Sequence, residues 1–143
     1  MHTRCTIPWL ELEVLFRRSV EVTFDGGRVT SDAGLLLVRE VDQKFEMCWQ
    51  LAACFSDHRN QDFVEFSGPR LVRQRIFGLV AGYEDLNDHD RLRHDPMLAL
   101  AIGRPDILGT DRRNPERDAG KGAAGKSTLN RMARRTTAAH RQT

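Results

Sequence analysis

The sequence predicts a small, mostly α-helical α+β domain with a short amino-terminal β-hairpin, about four helices and a disordered basic tail. Three observations support this class. Apolar and polar residues alternate over residues 20–24, apolar residues recur at helical spacing up to Gly103, and hydrophobic residues become rare from Arg104 onward. Alternation is typical of a half-buried strand, whereas a spacing of three to four residues is typical of a helix. The 143 residues suffice for one domain of ordinary size.

The hairpin is predicted between residues 20 and 30. Its first strand, VEVTF, places Val20, Val22 and Phe24 on one face. The sequence DGG at 25–27 follows and supplies residues that tolerate a positive φ in a tight turn. Residues 28–30 would then form the returning strand.

About four helices are predicted between residues 32 and 103. The first covers residues 32–45 after the capping residues Ser31 and Asp32, and a second, short helix covers residues 47–55. A third begins at the serine, glycine and proline of residues 67–69, a good start for a helix. Asn87 or Asp88 can cap a further helix through residue 92, and Pro96 opens the apolar run that Gly103 closes.

The charges are unevenly distributed along the chain. The 22 basic and 20 acidic residues give a formal charge of +2, but residues 1–103 carry −4 and residues 104–143 carry +6. Such an asymmetry is expected where one end of a protein meets phosphate. We therefore predict three regions: a poorly matched extension over residues 1–19, a helical domain over residues 20–103, and a flexible basic tail over residues 104–143.

The apolar and cysteine content indicates a cytoplasmic protein. The three cysteines match neither a zinc site nor a disulfide framework, so we expect reduced thiols. Glu11 and Glu13 interrupt the opening residues, which therefore do not form a signal peptide. No run of 18 apolar residues exists, and no membrane partner is expected.

A phosphate-loop pattern occurs at residues 120–127, GKGAAGKS. A phosphate loop requires a buried strand in front and a helix behind that presents its amino terminus to the phosphates. Residues 111–119 are polar throughout, which argues against such a strand. We expect no bound nucleotide or other cofactor, and we interpret this segment as a flexible basic linker.

Residues 83–96, YEDLNDHDRLRHDP, are dense in charge. His89 and Asp90 could bind a metal in principle. However, His89 and His94 are five residues apart and would not share a helix face. Arg91 and Arg93 can neutralise the neighbouring acids. We therefore expect that this segment has a structural role or recognises a partner, and that it supplies no metal ligands.

Several arginines are candidates for DNA contact. Arg70, Arg73 and Arg75, with Gln74, decorate one predicted helix, where they could contact phosphates or simply form a solvated face. The tail arginines would add salt-sensitive affinity for nucleic acid. Outside that helix, the candidates are Arg91, Arg93, Arg112, Arg113, Lys126 and Arg131.

Four strings resemble, in this order, the amino-terminal region of the insertion-sequence thirteen-eighty family of DDE transposases. The similarity extends over about residues 20–131. The strings are FDGGRVTSDAGLLLVREVD (24–42), LAACFSDHRN (51–60), LVRQRIFGLVAGYEDLNDHDRLRHDP (71–96) and GKSTLNR (125–131).

The resemblance implies a role in DNA transposition. Members of this family cut and join the ends of a mobile element, using three carboxylates and two Mg²⁺ ions on a ribonuclease-H-like core. In the family those carboxylates follow the GKSTLNR-like segment, so no catalytic residue can be assigned, and we expect a truncated, catalytically incompetent fragment. DNA at element ends is the expected partner. The alternative is a regulatory protein that pairs with intact, full-length transposase and inhibits it.

Overall fold

The computed structural model describes residues 9–15, 18–23, 32–57 and 59–139, and within them a series of short helices. Short 3-10 turns lie at Gln61–Phe63 and Leu86–Asp88, and strands β1 (Trp9–Leu15) and β2 (Arg18–Thr23) precede the helices. None of the helices described is both long and apolar enough to cross a bilayer. The helices are α1 (Leu35–Phe45), α2 (Met47–Ala53), α3 (Gly68–Val80), α4 (His89–Leu92), α5 (Pro96–Ala101), α6 (Pro115–Asp118) and α7 (Lys126–Ala139).

The predicted α+β class with a hairpin between residues 20 and 30 is wrong. From residue 32 to residue 139 the described chain consists of helices and loops, and all of its described core residues come from this part. The strand that contains Val20 pairs with residues before it, Leu12 standing opposite Val20. The predicted turn at 25–27 and the return at 28–30 lie outside the described residues. Alternation identifies a strand but does not say which neighbour it pairs with.

Helix α3 is the centre of the helical core. Ser67 precedes it in an extended conformation and a proline occupies its first turn, which fits a helix start because proline needs no backbone hydrogen bond there. Leu71 and Phe77 are fully buried on its inner face. Phe77 packs with Leu35 of α1 and with Leu98 and other residues of α5 in one cluster.

The helices predicted from apolar spacing are present, apart from small shifts at their ends.

The start of α5 is defined by a local cap. The side chain of Asp95 accepts a hydrogen bond from the backbone N–H of Met97 at 2.8 Å, and Pro96 occupies the first turn. Asp85 caps the preceding 3-10 turn in the same way, through the N–H of Asn87 at 2.9 Å. Two carboxylates of the charge-dense segment thus stabilise helix starts, because each satisfies an N–H group that has no partner within the helix.

The predicted disordered tail is also wrong. Residues 104–125 form an ordered segment that contains α6, and α7 extends over 14 residues. Ala123 and Ala124 are fully buried and Leu129 is 2% exposed. Small residues make this packing possible: a Cβ at Gly122 would collide with the carbonyl of Ile107. Low hydrophobicity here reflects close packing of small residues rather than disorder.

One buried amide attaches this loop to α3. The side-chain Oε1 of Gln74 accepts a hydrogen bond from the N–H of Ala124 at 2.9 Å, and its Nε2 donates to the carbonyl of Ala124 at 2.7 Å. Gln74 is fully buried. Its amide therefore forms hydrogen bonds with both the N–H and the carbonyl group of a residue 50 positions away. A neighbouring β-strand would satisfy the same two groups. We call this pair of bonds the Gln74 clamp.

Removal of the clamp should destabilise the protein. The substitution Gln74→Ala leaves the N–H and the carbonyl of Ala124 buried without partners, so we expect the free energy of unfolding to fall by about 3 kcal/mol. Urea unfolding followed by circular dichroism measures it. Gln50→Ala is the matched control, since Gln50 is exposed, and it should change stability by no more than about 0.5 kcal/mol. Similar losses for the two variants would contradict the role of the clamp.

Candidate nucleic-acid interface

A groove of about 440 Å³ lies between the loop after α2, the segment around α6 and the first turns of α7. We call it the arginine groove, because arginines from all three parts line it. Glu65 and Asp118 are its acidic residues. Five guanidinium groups against two carboxylates leave the groove positively charged. The arginines are Arg59, Arg112, Arg113, Arg117 and Arg131.

Arg112 belongs to the groove wall. Its Nε donates to Glu65 at 2.5 Å and its Nη1 donates to the carbonyl of Lys121 at 2.5 Å. The side chain is 8% exposed, and its guanidinium lies 4.8 Å from the ring centre of Phe66. Burial of a charge is costly without such partners. Arg112 therefore fixes the loop of residues 104–125 against the segment before α3.

Asp118 neutralises part of the groove. It accepts hydrogen bonds from Arg117, the shorter at 2.6 Å, and lies 3.6 Å from a nitrogen of Arg112. The hydrogen bond from Arg117 is the main reason that the pKa of Asp118 is lowered, so this carboxylate stays charged. Arg59 is likewise paired with a carboxylate, Asp57, at 2.6 Å.

Two arginines supply the positive charge of the groove that no acid in it balances. The guanidinium of Arg113 lies 5.3 Å from the ring centre of Phe63, and no carboxylate forms an ion pair with it among the described residues. The Nε of Arg131 donates a hydrogen bond to the carbonyl of Ser127 at 3.2 Å, which leaves the two terminal nitrogens of this side chain for other contacts. Both residues are exposed. Guanidinium groups of this kind suit the oxygen atoms of a phosphate.

Phe63 adds an aromatic surface to the groove. It is 74% exposed, the highest value among the exposed large hydrophobic residues of the described chain. Its 3-10 turn is held by the side chain of Asn60, which accepts from the N–H of Asp62 at 3.1 Å. An exposed aromatic ring beside a cationic groove is the arrangement on which unpaired bases stack.

The structure brings together three of the residues that the sequence suggested for DNA contact: Arg112, Arg113 and Arg131. Sequence reasoning missed Arg59 and Phe63, because both lie between the predicted helices, in a segment to which no role was assigned. A basic residue and an aromatic residue within five positions were the available signal.

The candidates on α3 lie elsewhere and are largely engaged. Gln74 is fully buried in the clamp. Arg73 pairs with Asp42 at 2.7 Å, and Arg70 donates to the carbonyl of Gly103 at 3.2 Å. Arg75 donates to the carbonyls of the loop after α3, the shorter bond reaching Glu84 at 2.6 Å. The predicted polar face of this helix is therefore mostly a set of internal contacts.

The candidates near α4 also lie outside the groove lining. Arg91 is exposed, and Arg93 donates to the carbonyl of Asp90 at 3.2 Å. The ammonium group of Lys126 bonds the side chain of Asn87 at 2.9 Å, and its backbone N–H donates to Asp90 at 3.1 Å. The phosphate-loop pattern is thus packed on α4, and it is not the flexible linker that the sequence suggested.

Metal binding does not fit the part of the chain that the structure describes. No group of three or more His, Cys, Asp or Glu side chains there could hold a metal ion. The described residues therefore do not fit the two Mg²⁺ ions that the resemblance implies, and we assign no chemical step to them.

His89 is buried beside the clamp. Its Nδ1 lies 3.3 Å from Nε2 of Gln74, and a Cβ on Gly78 would approach its Cε1 to 2.8 Å. Because Ala124 fixes the orientation of the Gln74 amide, Nε2 is the donor and Nδ1 must accept. Burial, followed by the positive charge of Arg75, lowers the pKa of His89, against the opposing effect of two nearby aspartates.

The groove thus combines exposed guanidinium groups with an exposed aromatic ring. Comparison with known proteins identifies the class: residues 12–143 match the family model described as transposase DDE domain group 1. The chain belongs to this family of DDE transposases, whose function is DNA transposition. No curated protein and no solved structure matches the chain.

Acid should destabilise the protein through His89. The lowered pKa means that the unfolded chain binds a proton more readily, so stability falls as the pH drops through about 6.5 and is lost progressively down to the folded pKa. Urea unfolding at about pH 7.5 and 5.5 measures this loss.

His89→Gln should show a smaller loss between the two pH values than the parent, because glutamine does not titrate. His94→Gln is the control, since His94 is exposed, and it should retain the full loss. An unchanged pH dependence in His89→Gln would exclude His89 as the cause.

Proposed function

We propose that this chain binds DNA for transposition and that the arginine groove makes the contact. The observation that carries the proposal is the convergence of five arginines and the exposed ring of Phe63 on one groove. Membership of the transposase family supports DNA as the partner. The ends of a mobile element in the cytoplasm are the substrate that we propose.

The charges of the groove favour contact with the DNA backbone. Arg113 and Arg131 are exposed, and among the described residues their guanidinium groups form no ion pair with a carboxylate, so their charge faces solvent. The hydrogen bond from Arg113 to Glu65 at 3.2 Å comes from its backbone N–H. Each phosphate that such a residue neutralises releases condensed counterions from DNA. Binding should therefore weaken steeply with salt and depend little on sequence, at least for this part of the contact.

The ring of Phe63 favours contact with unpaired bases. It stands beside the cationic groove rather than inside the core, and Arg113 lies over it. A strand whose phosphates follow Arg113 and Arg131 would bring its bases to this ring. We therefore propose that this ring stacks on bases that have left the duplex.

The first test removes charge from the groove. The double variant Arg113→Gln, Arg131→Gln should bind duplex DNA more weakly and lower the slope of log affinity against log salt by about 2, one unit for each phosphate contact. Fluorescence anisotropy over a series of salt concentrations measures the slope.

Lys44→Gln is the matched control for this experiment, because Lys44 is exposed on α1 and does not line the groove. It should leave the slope close to that of the parent. A double variant that binds like the parent at every salt concentration would refute the groove as the DNA-binding site.

The second test removes the ring. Phe63→Ala should lower the affinity for single-stranded DNA roughly 10-fold, since stacking of one base on an aromatic ring contributes about 1–3 kcal/mol. Duplex affinity should change less. Phe45→Ala is the control, because Phe45 is 56% exposed on α1 outside the groove. Equal effects of the two substitutions would mean that Phe63 is not a stacking surface.

A further inference from the structure

A second group of arginines surrounds Gly103, at the end of α5. The Nη2 of Arg70 donates to the carbonyl of Gly103 at 3.2 Å. The Nη1 of Arg73 lies 3.7 Å from the position that a Cβ of Gly103 would occupy. Arg104 follows directly in the chain and is 5% exposed. We call Arg70, Arg73 and Arg104 the Gly103 cluster.

Two carboxylates face these three guanidinium groups. Asp42 bonds Arg73 at 2.7 Å and also accepts from the N–H of Cys48 at 2.7 Å. Asp111 forms an ion pair with Arg104. The bond that Arg70 makes goes to a carbonyl, so the cluster keeps an excess of one positive charge. Arg39, whose Nη1 lies 4.0 Å from the same position on Gly103, makes contacts of its own and is not counted.

The lowered pKa of Arg70 is consistent with an excess of positive charge in the Gly103 cluster. Burial is the main reason that its pKa is lowered, and the charges of Arg104 and Arg73 lower it further, with Asp111 opposing. A guanidinium held beside two others is stabilised by an anion, because an opposite charge within a few ångströms offsets both the repulsion and the desolvation. Arg70 is only partly buried, so an anion in solution can reach it.

The Gly103 cluster adjoins the arginine groove. The guanidinium of Arg104 lies 5.2 Å from the ring centre of Phe66, and that of Arg112 lies 4.8 Å from the same centre. Phe66 lines the groove. The two groups of arginines thus pack against one ring, which is 2% exposed, and this internal contact places the Gly103 cluster next to the wall of the groove.

We infer that the Gly103 cluster binds a backbone phosphate of the same DNA that occupies the arginine groove, with Arg70 as the residue that contacts it. The inference rests on the proposed function. Guanidinium groups bind phosphate oxygens in pairs of parallel hydrogen bonds, and such charge-assisted bonds are stronger than those between neutral groups. The cluster therefore adds a phosphate contact beyond those of Arg113 and Arg131.

The test uses the full chain and Arg70→Gln. This variant should lower the slope of log affinity against log salt by about 1 in duplex titrations. Arg70→Lys keeps the charge and should retain most of the slope, which separates loss of a phosphate contact from loss of the bond to Gly103. Circular dichroism verifies that both variants fold, and Lys44→Gln again controls for net charge.

Each outcome separates the cluster from the groove. A lowered slope in Arg70→Gln, with a normal slope in Lys44→Gln, supports the inference. An unchanged slope in Arg70→Gln overturns it, while a lowered slope in the groove double variant leaves the proposed function intact. If neither the groove variant nor the Arg70 variant affects DNA binding, both proposals fail. If inorganic phosphate stabilises the parent but not Arg70→Gln, while DNA binding is unaffected, the site takes a free anion and the assignment to DNA is overturned.

Discussion

The Gln74 clamp is the contact on which the arrangement of the described chain depends. It joins α3 to the loop that precedes α7, across 50 residues, with no water-exposed atom in Gln74. The same amide makes a third contact, to His89, and thereby also connects α4 to α3 and to this loop. Helix α7 carries Arg131, and the loop before it carries Arg112 and Arg113. The clamp and the ion pair between Arg112 and Glu65 together therefore hold the wall of the groove in place.

The arginines of this protein are divided between two uses. Several donate to backbone carbonyls or to buried carboxylates and so hold loops onto helices, as Arg75 does with Glu84 and Arg73 does with Asp42. Asp42 illustrates how such pairs persist: burial would raise its pKa, but hydrogen bonds from Cys48 and Arg73 outweigh burial and lower it. Arg113 and Arg131, whose guanidinium groups form no ion pair with a carboxylate among the described residues, contribute exposed positive charge to the surface.

The sequence could predict the helices up to Gly103 and membership of the DDE transposases, but not the fold class or the groove. Apolar spacing identified α1, α2 and α3 because each buries one face, and the serine before α3 with the proline in its first turn defined its start. The ordered part after Gly103 was missed because alanine and glycine give no hydrophobic pattern, although Ala123 and Ala124 are fully buried. Gln74 was interpreted as a surface residue because an amide in a charged helix face gives no sign of a buried partner 50 positions away. The arginines of the groove were suggested individually, and their convergence with Phe63 is a product of the fold.

The phosphate-loop pattern shows why a local string cannot decide function. A helix start attracts phosphate when its first N–H groups point into solvent. Here the N–H of Lys126 is satisfied by the carboxylate of Asp90, and a Cβ at Gly125 would lie 2.9 Å from the same carboxylate. A phosphate at this position would have to displace a negative charge that the protein itself supplies. Gly125, which fits a nucleotide loop, is required here for close packing on α4, so any affinity for phosphate has to come from side chains elsewhere, such as those that we propose in the arginine groove and the Gly103 cluster.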